Sequence, residues 1–187
     1  MTHNLSTLTR LPASELLALY AELEAPDTAE MQGEYAATLL AQLHPLIALL
    51  GRWSIYNPLY PGYWLAKGFA PTDSPNRGRG YNLFRYRNRM VTRWPMQTLV
   101  HPSRFDGKPA YQLVYPAYQS IVGRLHMIDE LRRVDEGLYL GFGTCGFTRR
   151  QRRLRLPFAL QGPIGKYRGI AGVPRAHADA GSIIDAS

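Results

Sequence analysis

Apolar residues in "PASELLALYAEL" (12–23) recur at Leu16, Leu17, Leu19, Tyr20 and Leu23. That spacing predicts an amphipathic helix, with Pro12 fixing the backbone at its start and Pro26 stopping it. A second helical pattern follows in "DTAEMQGEYAATLLAQL" (27–43), where Asp27 and Glu30 stand at capping-box spacing. Tyr35, Leu39, Leu40 and Leu43 would form its buried stripe, although Gly33 costs about 1 kcal/mol relative to alanine inside a helix. Pro45 interrupts the pattern, and "LIALLG" reads as one more short turn closed by Gly51.

After Gly51 the period changes. "NPLYPGYW" and "PTDSPNRGRG" are loop-like, rich in Pro, Gly and Asn. From Tyr81 onward, short strand-like runs come at regular intervals: "YNLFRYR", "MVTRWPMQTLV", "AYQLVY", "RLHMIDELRRV", "LYLGFGTCGF" and "RLRLPFALQG". The connections "RN", "FDGKP" and "VDEG" have the composition of hairpin turns. Successive hairpins without intervening helices predict an antiparallel sheet, and six aromatic-rich strands predict a barrel or strongly curled sheet. The expected organisation is an N-terminal segment of two helices (1–51) packed on a β-barrel domain (52–168). A small-residue tail (169–187) is expected to be loosely ordered.

Composition supports a packed core, with 45% hydrophobic and 19% charged residues. No run approaches the roughly 18 apolar residues of a transmembrane helix, and "MTHNLSTLTRLPASELL" lacks the basic start and apolar core of a secretory signal. The single cysteine, Cys145, excludes an internal disulfide and a cysteine-based zinc cluster, so a reducing cytoplasm is the expected compartment. Charge is uneven. Residues 1–51 carry one arginine against six acids, a net −5, whereas the rest carries 21 basic residues against 8 acidic ones, a net +13. A basic body can attract anionic partners, and it also serves plain solubility.

The order of short motifs adds a family likeness. "MQGEYAATLL", "GYWLAKGF", "GYNLFRYR", "DGKPAYQLVY", "MIDELRRVDEGLYLGFG" and "LPFALQG" together resemble a group of uncharacterised bacterial proteins of calycin-like type. They are also distantly similar to GXWXG-domain proteins, in which a GxW-like opening precedes a barrel closed by a "dDelR…lylG" hairpin. Gly33–Glu34–Tyr35 departs from that opening, with Tyr in place of Trp. The resemblance spans about residues 30–162. It implies a mainly β, calycin- or lipocalin-like antiparallel barrel with a small apolar cavity, and it brings no activity with it.

Candidate chemistry centres on "HMIDELRRVDEGLYLG" (126–141). In a strand, Met127, Asp129, Leu131 and Arg133 share one face, and Ile128, Glu130, Arg132 and Val134 share the other. Each face carries one acid and one base. An inward carboxylate, Glu130 or Asp129, could serve as acid or base with His126 assisting, and an inward Arg132 could grip a ligand carboxylate. Outward pairs would instead be a solvated rim, and a one-residue slip would exchange the faces.

No two histidines stand at metal-binding spacing, so neither a metal nor another cofactor is implied. "GFGTCGF" lacks the order of a nucleotide loop, and its glycines read as a bend or close approach in a barrel wall. Cys145 reads as a buried structural thiol.

Twelve Tyr, six Phe and three Trp form a second signal. Trp64, Tyr81, Trp94, Tyr115 and Tyr118 are the candidate pocket aromatics, and 52–70 reads either as a lid over a barrel mouth or as core. "TRRQRRLRLPF" reads as a charged edge strand.

Three functions remain open. The first is binding of a small, largely apolar molecule, lipid-like or polycyclic, in a barrel cavity. The second is an isomerase, cyclase or hydratase using a cavity carboxylate. The third is an anionic-surface or nucleic-acid binder using the arginine strand, with nucleic acid disfavoured because no RNP or OB signature is present. A homodimer is kept open as an assembly.

Overall fold

The computed structural model describes residues 3–170, 172–176 and 178–187, so His177 lies outside the described residues. Two helices come first, α1 (Leu5–Leu8) and α2 (Ala13–Glu22). Then come β1 (Gly33–Leu39), α3 (Pro45–Ile55), β2 (Tyr56–Asn57), β3 (Gly62–Pro71), β4 (Arg77–Tyr86), β5 (Arg89–Pro102) and β6 (Pro109–Val114). The chain continues through α4 (Ile121–Arg124), β7 (Ile128–Asp135), β8 (Leu138–Thr144), β9 (Leu156–Gly165) and α5 (Ala180–Asp185).

The strands form one nine-stranded sheet in which β3 to β9 follow chain order, each antiparallel to the next. β1 inserts between the two ends. It pairs with β3 from Gly33↔Phe69 to Ala36↔Ala66, and with β9 from Ala36↔Gln161 to Leu39↔Phe158. That double pairing closes eight strands into an antiparallel barrel, with the two-residue β2 lying outside against β3. Closure satisfies the backbone polar groups that an open edge would expose. The predicted mainly β antiparallel barrel is therefore the fold, and of the two predicted helices the first, 12–23, is present as α2.

Several boundaries differ from the expectation. Residues 27–43 were expected as a helix, but 33–39 form β1. Gly33 has φ +111°, and a Cβ there would come within 2.7 Å of the Gly165 carbonyl, so the chain enters the barrel wall where glycine is required. Beyond it the inward positions follow period two: Tyr35 and Ala37 pack into the barrel core and Leu39 lines the cavity, while Leu40 packs outside. Pairing on both sides overrides the local helical pattern. The barrel thus begins at Gly33, and the expected boundary at residue 51 falls inside α3, which runs through Gly51 to Ile55. Of the stretch 52–70, expected as a lid or as core, residues from Gly62 onward belong to wall strand β3 (Gly62–Pro71).

The tail also differs. Ala180 and Ile184 of α5 are buried against Leu99, Val114 and Ile128, so the end of the chain is docked. Arg153 and Arg155 do not form an edge strand: residues 151–153 are a 3-10 turn, and β9 starts at Leu156 between two partners.

Inside the barrel, Tyr35, Phe69, Tyr111, Leu131, Tyr139 and Leu160 fill one end. Each such side chain contributes about 1.5–3 kcal/mol by burial. Outside, α2 lays Leu16 and Tyr20 on Leu138, Leu140 and Phe142 of β8. The wall residues of "GFGTCGF" face both ways, and Gly141 faces in, because a Cβ there would run into Leu131 and Phe158.

Candidate functional site

The other end of the barrel is not filled. It holds a cavity of about 320 Å³ whose walls are mostly apolar, including Trp94, Val122, Leu125, Met127, Leu156 and Phe158. Trp53, Ser54 and Ile55 of α3 lie over it. At its floor four polar side chains meet.

Their placement depends on one irregularity. The β3–β4 register shifts between Trp64 and Ala66, leaving Leu65 as an extra residue. A bulge of this kind changes which face the following residues take. Trp64 and Lys67 therefore both face inward, although strict alternation would separate them, and Ala66 packs outside with Tyr81 and Leu83. Asn82 comes from β4, Tyr115 from the turn after β6, and Asp129 from β7.

Lys67 is fully buried and spends its three protons on three acceptors. Its Nζ donates to Asp129 Oδ2 at 2.9 Å, Tyr115 Oη at 2.6 Å and Asn82 Oδ1 at 3.0 Å. The Tyr115 hydroxyl accepts that bond and one from Asn82 Nδ2 at 3.0 Å, and donates to Asp129 Oδ2 at 3.1 Å. Trp64 Nε1 donates to Asn82 Oδ1 at 3.0 Å. The ammonium also sits 5.2–5.3 Å from the ring centres of Trp64, Tyr115 and Phe158, within cation–π range.

Burial pulls the Lys67 ammonium below its ordinary pKa, and the Asp129 carboxylate opposes that shift. Burial, reinforced by Asp129, pushes the Tyr115 hydroxyl well above the ordinary phenol range, so it stays a donor. One atom is left over. Asp129 Oδ1 is buried and has no hydrogen-bond partner among the described residues. It lies beside Gly143, on the cavity wall, and a Cβ added there would sit 3.2 Å from it. The floor is thus a neutral ion pair with one free acceptor.

The candidate residues read from the sequence are divided by the fold. Asp129, Trp64, Trp94 and Tyr115 come together at the cavity or its floor. Trp94 takes a left-handed backbone, φ +53°, at a β5 irregularity, and its Nε1 donates to Tyr60 Oη at 3.2 Å. The other candidates lie elsewhere.

Glu130 and Arg132 face outward, yet are buried beneath α2. Glu130 Oε1 accepts from the Arg104 backbone N–H at 3.1 Å, and Oε2 from the Tyr20 hydroxyl at 3.4 Å. Arg132 grips Asp106 with two bonds of 2.7 Å. Neither lines the cavity, and neither is a solvated rim. Arg133, on the inward parity, reaches the filled end and pairs with Glu30 at 2.9 Å.

Tyr81 also faces outward and donates to Glu34 Oε1 at 2.7 Å. Tyr118 borders a surface depression with Arg77 and Arg79. His126 lines a separate, open depression of about 610 Å³ with Arg124, Arg175 and Asp179, away from Asp129. Cys145 borders the cavity, and burial raises its thiol pKa, which keeps it a thiol.

Lys67 and Asn82 were missed by sequence reasoning. The signal for Lys67 was present: a lone lysine inside the apolar run "WLAKGFA". Among the described residues no group of three His, Cys, Asp or Glu could hold a metal ion, and no helix is long and apolar enough to cross a membrane.

Comparison with known proteins supports the architecture alone. A solved structure described as "Crystal structure of protein from Thermomonospora curvata" is similar, with a TM-score of 0.53 and 16% sequence identity. The match covers 81% of this chain and 87% of that one. At that identity the likeness concerns the fold. No protein-family model and no curated protein matches the chain.

Proposed function

We propose that the chain binds a small, neutral, largely apolar molecule, lipid-like or polycyclic, that carries one hydrogen-bond donor. The observation behind this reading is Asp129 Oδ1, a buried acceptor without a partner among the described residues, at the wall of an apolar cavity. An unmet buried acceptor costs about 1–3 kcal/mol or more when charged, and a ligand hydroxyl or N–H recovers it. The Lys67–Asp129 pair makes the floor neutral, which disfavours a charged ligand. The volume lies at the lower end of the roughly 300–1,000 Å³ of ligand pockets. The calycin-like resemblance and a cytoplasmic setting belong to the same reading.

The test is displacement of a neutral fluorophore, N-phenylnaphthylamine, by matched alcohols and methyl ethers. Alcohols should compete roughly tenfold better or more, the worth of a hydrogen bond to a charged group. Equal competition, or no fluorophore binding at all, would refute the proposal.

A second reading, proton transfer in an isomerase, cyclase or hydratase, is favoured by the same free oxygen, which can accept a proton from a bound substrate. Asp129→Asn separates the two. In the folded variant, a binding protein loses at most affinity, whereas an acid–base catalyst keeps substrate binding and loses turnover.

A further inference from the structure

Four segments border the cavity mouth: α3, the turn 57–61, α4, and the stretch 145–156, represented at the opening by Trp53, Tyr60, Ile121 and Cys145. Their surfaces share two properties. The first is exposed apolar bulk. On α3, Leu46, Leu49 and Trp53 stand at i, i+3 and i+7, one helical face, and all are exposed, Trp53 by 68%. Leu59 is 82% exposed at the tip of its turn, and Phe147 is 73% exposed in the 145–156 stretch, where Leu154 is exposed too. A folded chain keeps such side chains outside only singly or at a contact surface, and here they gather around one opening.

The second property is charge. Residues 43–61, 119–128 and 145–156 contain seven arginines and no acidic residue. They are Arg52, Arg124 and the five of 149–155, in a chain that holds 14 acids elsewhere. The mouth segments thus carry only positive formal charge, as does the stretch 74–105 of the barrel wall, which also holds seven arginines and no acid.

We propose that this rim docks on an anionic lipid bilayer. The apolar face of α3 and the tips Leu59 and Phe147 enter the interfacial layer, and the arginines meet the lipid phosphates. In that pose the cavity opens toward the acyl chains, so an apolar molecule passes between bilayer and barrel without crossing water. Other occupants fit less well. A second copy of the chain would set seven arginines against seven like charges. A single-stranded nucleic acid needs exposed rings for stacking, and the exposed side chains here are mainly leucines. The docking surface uses residues other than the Lys67–Asp129 floor and does not depend on the ligand reading.

The experiment is co-sedimentation of the full chain with vesicles of mixed phosphatidylglycerol and phosphatidylcholine, and with phosphatidylcholine alone. Binding is expected to the anionic vesicles, to weaken as salt rises, and to carry quenching of Trp53 by brominated acyl chains that Trp53→Phe removes. Reversal of three exposed arginines (Arg149→Glu, Arg150→Glu, Arg153→Glu) should weaken binding about a hundredfold, at roughly fivefold per basic residue. Leu49→Asp should weaken it with every arginine in place.

Equal binding to neutral vesicles, no binding, wild-type binding by the triple variant, or a self-associated form that buries Trp53 would each overturn the proposal. Asp129→Asn, measured where urea denaturation shows it folded, should bind vesicles as the wild type does. Failure of the ligand reading therefore leaves this result standing, and the reverse also holds.

Discussion

Lys67 Nζ lies 2.9 Å from Asp129 Oδ2 across the barrel interior, and neither side chain is more than 2% exposed. One comes from β3 and the other from β7, strands separated in the sheet by β4, β5 and β6. The pair thus spans the barrel and fixes the polar floor of the cavity, with Tyr115 and Asn82 completing its bonds.

Removal of one partner leaves an uncompensated charge in an apolar space. Lys67→Met should therefore cost about 3–5 kcal/mol, read by urea denaturation. Lys67→Met combined with Asp129→Leu should recover most of that loss, because buried ion pairs can be replaced by apolar residues of similar volume at little cost. A double variant as unstable as the single one would show that the pair holds the barrel together in some other way.

Gly143 offers a gentler probe of the free oxygen. A Cβ at this position meets Asp129 Oδ1 at 3.2 Å and is otherwise no closer than 3.8 Å to its nearest neighbours. The carboxylate must shift by only a few tenths of an ångström, so Gly143→Ala should change stability by less than about 1 kcal/mol. It covers Asp129 Oδ1, so the preference for alcohols over ethers should shrink or vanish. An unchanged preference in a folded Gly143→Ala protein would place the ligand's donor elsewhere.

How much of this was legible beforehand can be traced residue by residue. The hairpins from Tyr81 to Gly162 were readable because period-two alternation and turn residues such as Gly107 and Gly137, both at positive φ, are local signals. β1 was not readable. Its apolar residues also fit a helix, and only pairing with the distant β3 and β9 makes it a strand. Strand parity divides 127–134 into two faces, but inward and outward do not map onto buried and exposed. α2 covers the outer face, so Glu130 and Arg132 are buried outside the barrel. Lys67 was hidden by the Leu65 bulge, which no alternation rule anticipates.

His126 should give acid sensitivity in a separate part of the molecule. Its ring Nδ1 is buried without a partner among the described residues. Burial, then the nearby Arg152, Arg104 and Arg175, hold its pKa below 6.5. Below that value the unfolded chain binds a proton that the folded one resists, so stability falls as pH falls. The loss begins near 6.5 and grows downward through the folded-state value. Asp106 and Asp179 act with the same sign, but their carboxyls are lowered from 3.8, so their contribution is lost only in stronger acid. His126→Asn tolerates the residue's φ of +53° and removes the titration. Denaturation curves between about pH 7 and 5 should therefore fall less steeply for the variant. Parallel slopes would assign the acid sensitivity to another group.

Arg132 should prove to be a clamp for α2 with no role in the cavity. It is fully buried, bonds both Asp106 oxygens at 2.7 Å, and donates to the carbonyls of Tyr20 at 2.9 Å and Pro109 at 3.1 Å. Its guanidinium also lies 4.4 Å from the Tyr20 ring centre. A lysine cannot reproduce the two-pronged grip, and its compact charge loses the stacked contact. Arg132→Lys should therefore cost a few kcal/mol, and Arg132→Met about 3–5 kcal/mol, since it strands partners that arginine satisfied. Both variants should free α2, seen as faster amide exchange over 13–22, because Tyr20 and Leu16 lose the anchor that sets them on β8. N-phenylnaphthylamine binding should be unchanged wherever the protein is folded, since the bonds of Arg132 all lie outside the barrel. Loss of fluorophore binding at full stability would move Arg132 back into the site.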